Sequence, residues 1–144
     1  MQMIRPDGLR AAFPLAPPAG SRLDFGIDDL HDVRSLVAVG AAAGGLSPRR
    51  ASDLVVAASE LAANSVVHGG GRGLATVWDE DGAVFVEVAD AGTIADPTVG
   101  QLRPDPTAQS GRGLYIANQL CDRVAIDSTP TGTRIRLRME TGAG

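Results

Sequence analysis

Residues 60–68 read Glu-Leu-Ala-Ala-Asn-Ser-Val-Val-His, within a segment patterned as a long amphipathic helix. Ser47 followed by Pro48 predicts its start, because serine caps helices and proline is tolerated at the first helical position. The glycines at 69–71 predict its end. On a helical wheel, one broad side carries the residues expected to pack on a sheet, namely Leu54, Val55, Ala58, Leu61, Ala62, Ser65 and Val66.

The opposite side of this helix is polar at intervals. Its polar residues are Asp53, Glu60, Asn64 and His68, interleaved with Val56, Ala57, Ala63 and Val67. Glu60 and Asn64 are one turn apart, so both project into the same space. A carboxylate and an amide in an apolar surround favour a polar site, although a pair at the helix surface would have the same spacing.

The string 60–68 resembles the N-box of GHKL ATPases, the fold of gyrase and histidine kinases. It is most similar to that of the small bacterial anti-sigma serine kinases, Glu-Leu-x-x-Asn-Ala-x-x-His. The resemblance implies that Asn64 binds Mg²⁺ through its side-chain carbonyl and that Glu60 is the general base. Both roles suit the residues, because Mg²⁺ takes oxygen ligands and phosphoryl transfer needs a base near the nucleophile. His68 would contact the phosphates or the long loop that follows residue 90, or it would only close the helix end.

Asp90-Ala91-Gly92 follow a predicted strand and begin a long loop, 90–109. They resemble the family's G1 box, Asp-x-Gly-x-Gly, whose aspartate accepts a hydrogen bond from the adenine amino group. The resemblance therefore implies that Asp90 and Gly92 bind the base. Ile94 stands where the second glycine belongs, which leaves the retention of kinase activity open.

Gly111-Arg112-Gly113-Leu114 predict the start of a helix after the loop. Glycines let the backbone approach phosphates, and a helix N-terminus directs N–H groups at them. A Rossmann motif is excluded, because no strand directly precedes the glycines and Ile116 occupies the third glycine position. The segment resembles the family's G2 box. The turn 131–133 resembles the family's Gly-Thr turn, which implies that Thr133 joins Asp90 at the adenine through water.

The loop 93–110 contains three prolines and few large apolar residues. We expect it to be mobile without nucleotide and to order when phosphates engage the helix at Gly111. Arg103 and Arg112 are the only cations in or beside it, and both are candidate phosphate partners, although Arg103 is equally expected to be only solvated.

Composition excludes several function classes. All 13 basic residues are arginine, and without a lysine a P-loop ATPase is excluded. The net charge of -4 argues against direct nucleic-acid binding, and no segment is apolar enough to cross a bilayer. The single cysteine, Cys121, cannot form an internal disulfide, which indicates a reducing, cytoplasmic location.

The pattern of elements predicts an α+β fold. Strands are expected at about 22–25, 74–78, 84–88, 123–128 and 134–139, and helices at 28–43, 47–68 and 111–120. These form a two-layer sandwich in which helices pack on one face of a mixed, mostly antiparallel sheet, the Bergerat-type ATP-binding fold. Residues 1–20 are predicted to be a flexible lead-in or linker, and 21–144 the ATP-binding domain.

For function, the resemblance implies an ATP-binding anti-sigma factor with serine/threonine kinase activity. Such a protein binds a sigma factor, phosphorylates an anti-anti-sigma (STAS) partner, and forms a homodimer. The alternative is a nucleotide-binding or pseudo-kinase module that acts only through protein–protein contacts. A histidine kinase would need a pair of dimerisation helices with an acceptor histidine, and His31 has no second helix of that kind beside it.

Overall fold

The computed structural model describes residues 2–4, 20–92 and 112–142, with residues 2–4 and 112 described by their backbone alone. The predicted loop 93–110 lies outside the described residues. Helix α2, Pro48–His68, confirms the helix predicted from the sequence. Ser47 caps it by accepting a hydrogen bond from the Arg50 amide at 3.3 Å. The helix ends where the Gly69 amide donates to the Ser65 carbonyl.

Helix α2 packs against a six-stranded sheet. The strands are β1 (Gln2–Ile4), β2 (Ser21–Phe25), β3 (Gly73–Glu80), β4 (Ala83–Asp90), β5 (Arg123–Thr129) and β6 (Gly132–Glu140). Their order is β1-β5-β6-β4-β3-β2. All neighbours are antiparallel except β1 and β5, so the sheet is mixed and mostly antiparallel, as predicted.

Two further helices, α1 (Leu30–Ala43) and α3 (Arg112–Leu120), flank α2. The inward faces of β4 and β6 explain why the helical layer forms on one side. Val84, Val86 and Val88 of β4 alternate with residues that point away, and Ile135, Leu137 and Met139 of β6 do the same. Aliphatic residues at period two therefore form the core beneath the helices. This is the two-layer α+β sandwich that the sequence predicts.

The opposite face of the sheet is polar and aromatic. Trp78 stacks on Phe85 with ring centroids 5.2 Å apart. The Arg136 guanidinium lies 5.0 Å from the Trp78 ring centroid and pairs with Glu87 at 2.7 Å. No helix covers this face within the part of the chain that the structure describes.

The structure differs from the prediction at the N-terminus. Residues 2–4, assigned to the flexible lead-in 1–20, form strand β1, which runs parallel to β5 from the pair Gln2–Val124 to the pair Ile4–Ile126. Three residues are too few to show a period-two pattern, and their partner strand comes from the other end of the chain. The sequence therefore carried no local signal for β1.

A second difference concerns Ala57, which the helical wheel placed on the polar side of α2. Ala57 is fully buried. Helix α3 explains this, because it runs antiparallel along α2, beginning at Asn64 and ending near Arg50. Helix α2 is thus covered by the sheet, by α1 and by α3, and only a narrow polar strip remains.

Candidate functional site

Glu60 and Asn64 lie where α3 begins against α2. Both side chains are half-buried. A Cβ added at Gly113 would come within 2.6 Å of Asn64 Nδ2 and 3.3 Å of Glu60 Cβ, so a side chain here would have to displace the Asn64 amide. The structure thus brings together the two residues of the N-box and the second glycine of the G2 segment.

The first turn of α3 lies against Glu60 and Asn64. Leu114 is only 4% exposed and anchors the turn in the core. The first amide N–H groups of a helix have no partner within the helix, and they lie at the positive end of its dipole. A phosphate placed near Glu60 and Asn64 would therefore meet N–H donors from α3.

The far end of α3 is fastened to the start of α2 and the end of β6. Arg50 forms an ion pair with Asp122 and also donates from Nε to the Glu140 carbonyl at 2.9 Å. Asp122 Oδ2 accepts a second hydrogen bond from the Glu140 amide at 2.6 Å. These contacts set the position of α3, and hence of Gly113 at its other end.

Asp90 is the last residue of β4 and forms the second polar centre. Its Oδ2 accepts a hydrogen bond from Ser65 Oγ at 2.6 Å, and its Oδ1 accepts one from the Gly92 amide at 2.8 Å. Each carboxylate oxygen has a further lone pair, so the group can still accept from a ligand. An amino group is the donor that such a carboxylate recognises.

Gly69 makes this carboxylate position possible. A Cβ at Gly69 would lie 2.8 Å from Asp90 Oδ1 and closer still to Cγ and Oδ2, so a side chain here would displace the carboxylate. The sequence analysis took the glycines at 69–71 only as the end of the helix. Gly69 has a second role, because the end of β4 lies directly on the end of α2.

Thr133 is the cross-strand partner of Asp90 in the β4–β6 ladder. It is 4% exposed, and its hydroxyl donates to the Gly92 carbonyl at 2.8 Å. Thr133 therefore holds the backbone just after Asp90. The family resemblance implied that Thr133 and Asp90 act together, and the structure places them side by side on neighbouring strands.

The two polar centres lie along one helix. From Glu60 to Ser65 and Gly69 the rise is roughly 8–14 Å, at about 1.5 Å per residue. Val56 and Val67, two of the exposed large hydrophobic residues, lie on the same side of α2 as Glu60. The exposed strip thus offers a carboxylate and an amide beside the N-terminus of α3 and an apolar wall, whereas Asp90 lies against the sheet-facing side of α2 near the end of the helix.

The donor set suits Mg²⁺ held mainly by phosphate oxygens. Among the described residues, no three His, Cys, Asp or Glu side chains converge on one point. Mg²⁺ keeps several waters and commonly takes only one or two protein oxygens in phosphate sites. Asn64 presents Nδ2 towards Gly113, which leaves Oδ1 as its oxygen for a metal.

The remaining predicted site residues divide into two groups. His68 is exposed at the end of α2, and its carbonyl borders Gly92. Arg103 and Gly111 lie outside the described residues, and the side chain of Arg112 is likewise not described. Sequence reasoning missed Ser65 and Gly69, because their roles depend on contact with Asp90.

This arrangement agrees with the family comparison. Residues 26–139 match the model of the histidine kinase-like ATPase domain. The chain belongs to this family. The GHKL-type ATP-binding domain inferred from the N-box is thereby confirmed, and ATP is the ligand that the family's description names. No curated protein matches the sequence significantly.

Solved structures show the same fold at low sequence identity. One contains the RsbU and RsbW domains of Rv1364c from Mycobacterium tuberculosis, with a TM-score of 0.61 and 22% identity over 83% of this chain and 32% of that one. The chain thus spans about a third of that relative. Another is the nucleotide-free catalytic domain of the histidine kinase ThkA, with a TM-score of 0.54 and 14% identity over 84% and 96% of the two chains. None of the helices that the structure describes is long and apolar enough to span a membrane.

Proposed function

We propose that this chain is an ATP-binding anti-sigma factor with serine/threonine protein kinase activity. It would sequester a sigma factor and phosphorylate an anti-anti-sigma (STAS) protein. The arrangement along α2 carries the proposal: the Asp90 carboxylate at one end, with Glu60, Asn64 and the start of α3 at the other. The N-box resemblance and the fold likeness to a chain containing an RsbW domain support the choice of partners.

Phosphoryl transfer assigns a distinct task to each part of the strip. The hydroxyl oxygen of the partner's serine or threonine forms a bond to the γ-phosphorus, while the bond to the β–γ bridging oxygen breaks and ADP leaves with that electron pair. Glu60 accepts the hydroxyl proton. Asn64 would hold Mg²⁺, which neutralises phosphate charge when bound, and the α3 amides would bind the phosphate oxygens.

His31 lies within the ATP-binding domain itself. His31 is an exposed residue on α1, and α1 packs against α2 and the sheet as part of this domain. It therefore does not belong to a separate pair of dimerisation helices of the kind that carries an acceptor histidine. The choice of a hydroxyl acceptor rests on the resemblance of residues 60–68 to the N-box of the anti-sigma serine kinases.

Ile94 favours one competing function. It replaces the second glycine of the G1 box, and a β-branched side chain there restricts the backbone. A domain altered in this way could bind nucleotide and partners without transferring phosphate. It would then regulate only through protein–protein contacts.

Calorimetry with ATP, with and without Mg²⁺, tests the proposed site. We expect Mg²⁺-dependent binding in the wild type and loss of the Mg²⁺-dependent part in Asn64→Ala, with binding in EDTA unchanged. Ser59→Ala, on the same helix, is the control. Absence of binding at millimolar ATP would contradict the kinase proposal.

Incubating the protein with labelled ATP and a STAS-domain protein then distinguishes the two functions. Label on a serine or threonine of the STAS protein supports the kinase. Binding of ATP and the STAS protein without transfer supports the module that acts by contact alone.

A further inference from the structure

Ser65 makes a contact that its position on the helix does not require. It is 2% exposed and lies on the side of α2 that faces the sheet. A buried helical serine commonly satisfies its hydroxyl on the carbonyl four residues earlier. Here the hydroxyl instead donates to Asp90 Oδ2 at 2.6 Å. The contact joins the N-box helix to the end of β4.

Further hydrogen bonds fix the backbone that follows Asp90. Thr133 gives its single hydroxyl proton to the Gly92 carbonyl at 2.8 Å. The 2.8 Å bond between Ser128 Oγ and Thr133 Oγ1 must therefore take its proton from Ser128. The Gly92 amide and the Ser65 hydroxyl then donate to the two oxygens of Asp90. The protons of these donors are all committed within the protein.

The two donors that hold Asp90 decide what it can recognise. Because Ser65 and Gly92 donate to different oxygens, the carboxylate is held in one orientation and presents its remaining lone pairs to a ligand. A purine with an amino group at position 6 supplies the matching donor. A 6-oxo purine would turn its carbonyl oxygen towards the carboxylate oxygens, and either Ser65 or Gly92 would have to give up its bond to Asp90 to relieve the repulsion.

We propose that Ser65 is a positioning residue for base recognition, which fixes the Asp90 carboxylate so that the site selects 6-amino over 6-oxo purines. Without the serine hydroxyl, one carboxylate oxygen loses its donor and the group can reorient towards the N1–H of a 6-oxo purine. Loss of the hydroxyl should reduce the preference for 6-amino over 6-oxo purines more than it reduces the affinity for either nucleotide. The inference rests on the proposed nucleotide-binding function.

The test compares affinities for ATP and ITP, whose bases differ in the group at position 6 and in the hydrogen that hypoxanthine carries on N1, by calorimetry on the wild type and Ser65→Ala. We expect the ratio of ATP to ITP affinity to fall about tenfold in Ser65→Ala, the size expected for one hydrogen bond to a charged group. Ser59→Ala, a half-buried serine of α2 whose hydroxyl accepts from Arg34, should leave the ratio unchanged. Ser65→Cys keeps the volume with a weaker donor and should give an intermediate ratio.

The outcomes separate this inference from the proposed function. A wild type that binds neither nucleotide overturns both. A wild type that prefers ATP, with the same preference in Ser65→Ala and Ser65→Cys, leaves the nucleotide site standing and overturns the role of Ser65. Equal weakening of ATP and ITP in a variant with wild-type thermal stability also overturns it, because a purely structural serine would act in that way.

Discussion

Replacing Glu60 by glutamine keeps the shape of the side chain and removes the oxygen that accepts the proton. We expect Glu60→Gln to bind ATP with near wild-type affinity, while phosphorylation of a STAS partner falls by about 10²-fold or more. The reason is that Glu60 lies beside the start of α3, where the phosphates would bind, and not beside Asp90, where the base would bind. Calorimetry and a single-turnover transfer assay measure the two quantities.

Asp53→Asn provides the control for this change, because Asp53 is a half-buried acidic residue on the same helix, about two turns before Glu60. It should leave both quantities near their wild-type values. If Glu60→Gln transfers phosphate at the wild-type rate, Glu60 is not the base.

Ser65 and Gly69 show what limited the sequence reasoning at this scale. Helical periodicity places Glu60 and Asn64 together without any knowledge of the rest of the fold, and the N-box resemblance implies their roles. Ser65 was assigned to the sheet-facing side, which is correct for its position but gives no sign of Asp90. Gly69 looked like part of a turn. Both roles arise from contact between the ends of α2 and β4, which no local pattern encodes.

At the scale of elements, the contact between α2 and α3 depends on Gly113. We expect Gly113→Ala to lower the free energy of unfolding by about 1–3 kcal/mol, because the added methyl group would overlap Asn64. If α3 shifts to relieve the overlap, phosphate binding should weaken as well. Urea unfolding and ATP calorimetry are the measurements.

Gly142→Ala is the matched control, since a Cβ there would meet nothing within 4 Å. It should change neither stability nor binding. If Gly113→Ala had the stability and the ATP affinity of the wild type, the close approach of the helices would not be needed for the site.

Most elements were predictable because each carries its own signal. Helix α2 has a serine cap, a proline at its first position and glycines after its end, and the structure confirms those bounds. Strands β4 and β6 alternate between aliphatic and polar residues along their length. Strand β1 and the burial of Ala57 could not be inferred, because each depends on a partner element distant in sequence.

At the scale of the whole molecule, one strand pattern organises both faces of the sheet. The arginines of β6 alternate with Ile135, Leu137 and Met139, so the same strand lines the core and carries ion pairs on the opposite face. Arg134 pairs with Asp127 at 3.0 Å and Arg136 pairs with Glu87 at 2.7 Å. Because these carboxylates are largely buried, removing one should destabilise the fold more than removing an exposed carboxylate would.

The buried thiol of Cys121 makes the stability of the folded chain decrease at alkaline pH. Burial raises the pKa of its thiol from 9.0 to about 12, and the nearby carboxylates of Asp122 and Asp53 act in the same direction. Below pH 9.0 the thiol is protonated in both the folded and the unfolded state, so its contribution to stability is fully present. Above that pH the unfolded chain releases a proton that the folded protein retains, so stability falls up to about pH 12.

Urea unfolding of the wild type and Cys121→Ala, from about pH 7 to about pH 10.5, isolates this contribution. The difference in unfolding free energy between the two proteins should be constant at neutral pH. It should shift against the wild type as the pH rises above 9.0, because alanine has no proton to lose. Other groups titrate alike in both proteins and cancel. Parallel curves over the whole range would show that the Cys121 thiol ionises no differently in the folded and unfolded states, contrary to its burial beside two carboxylates.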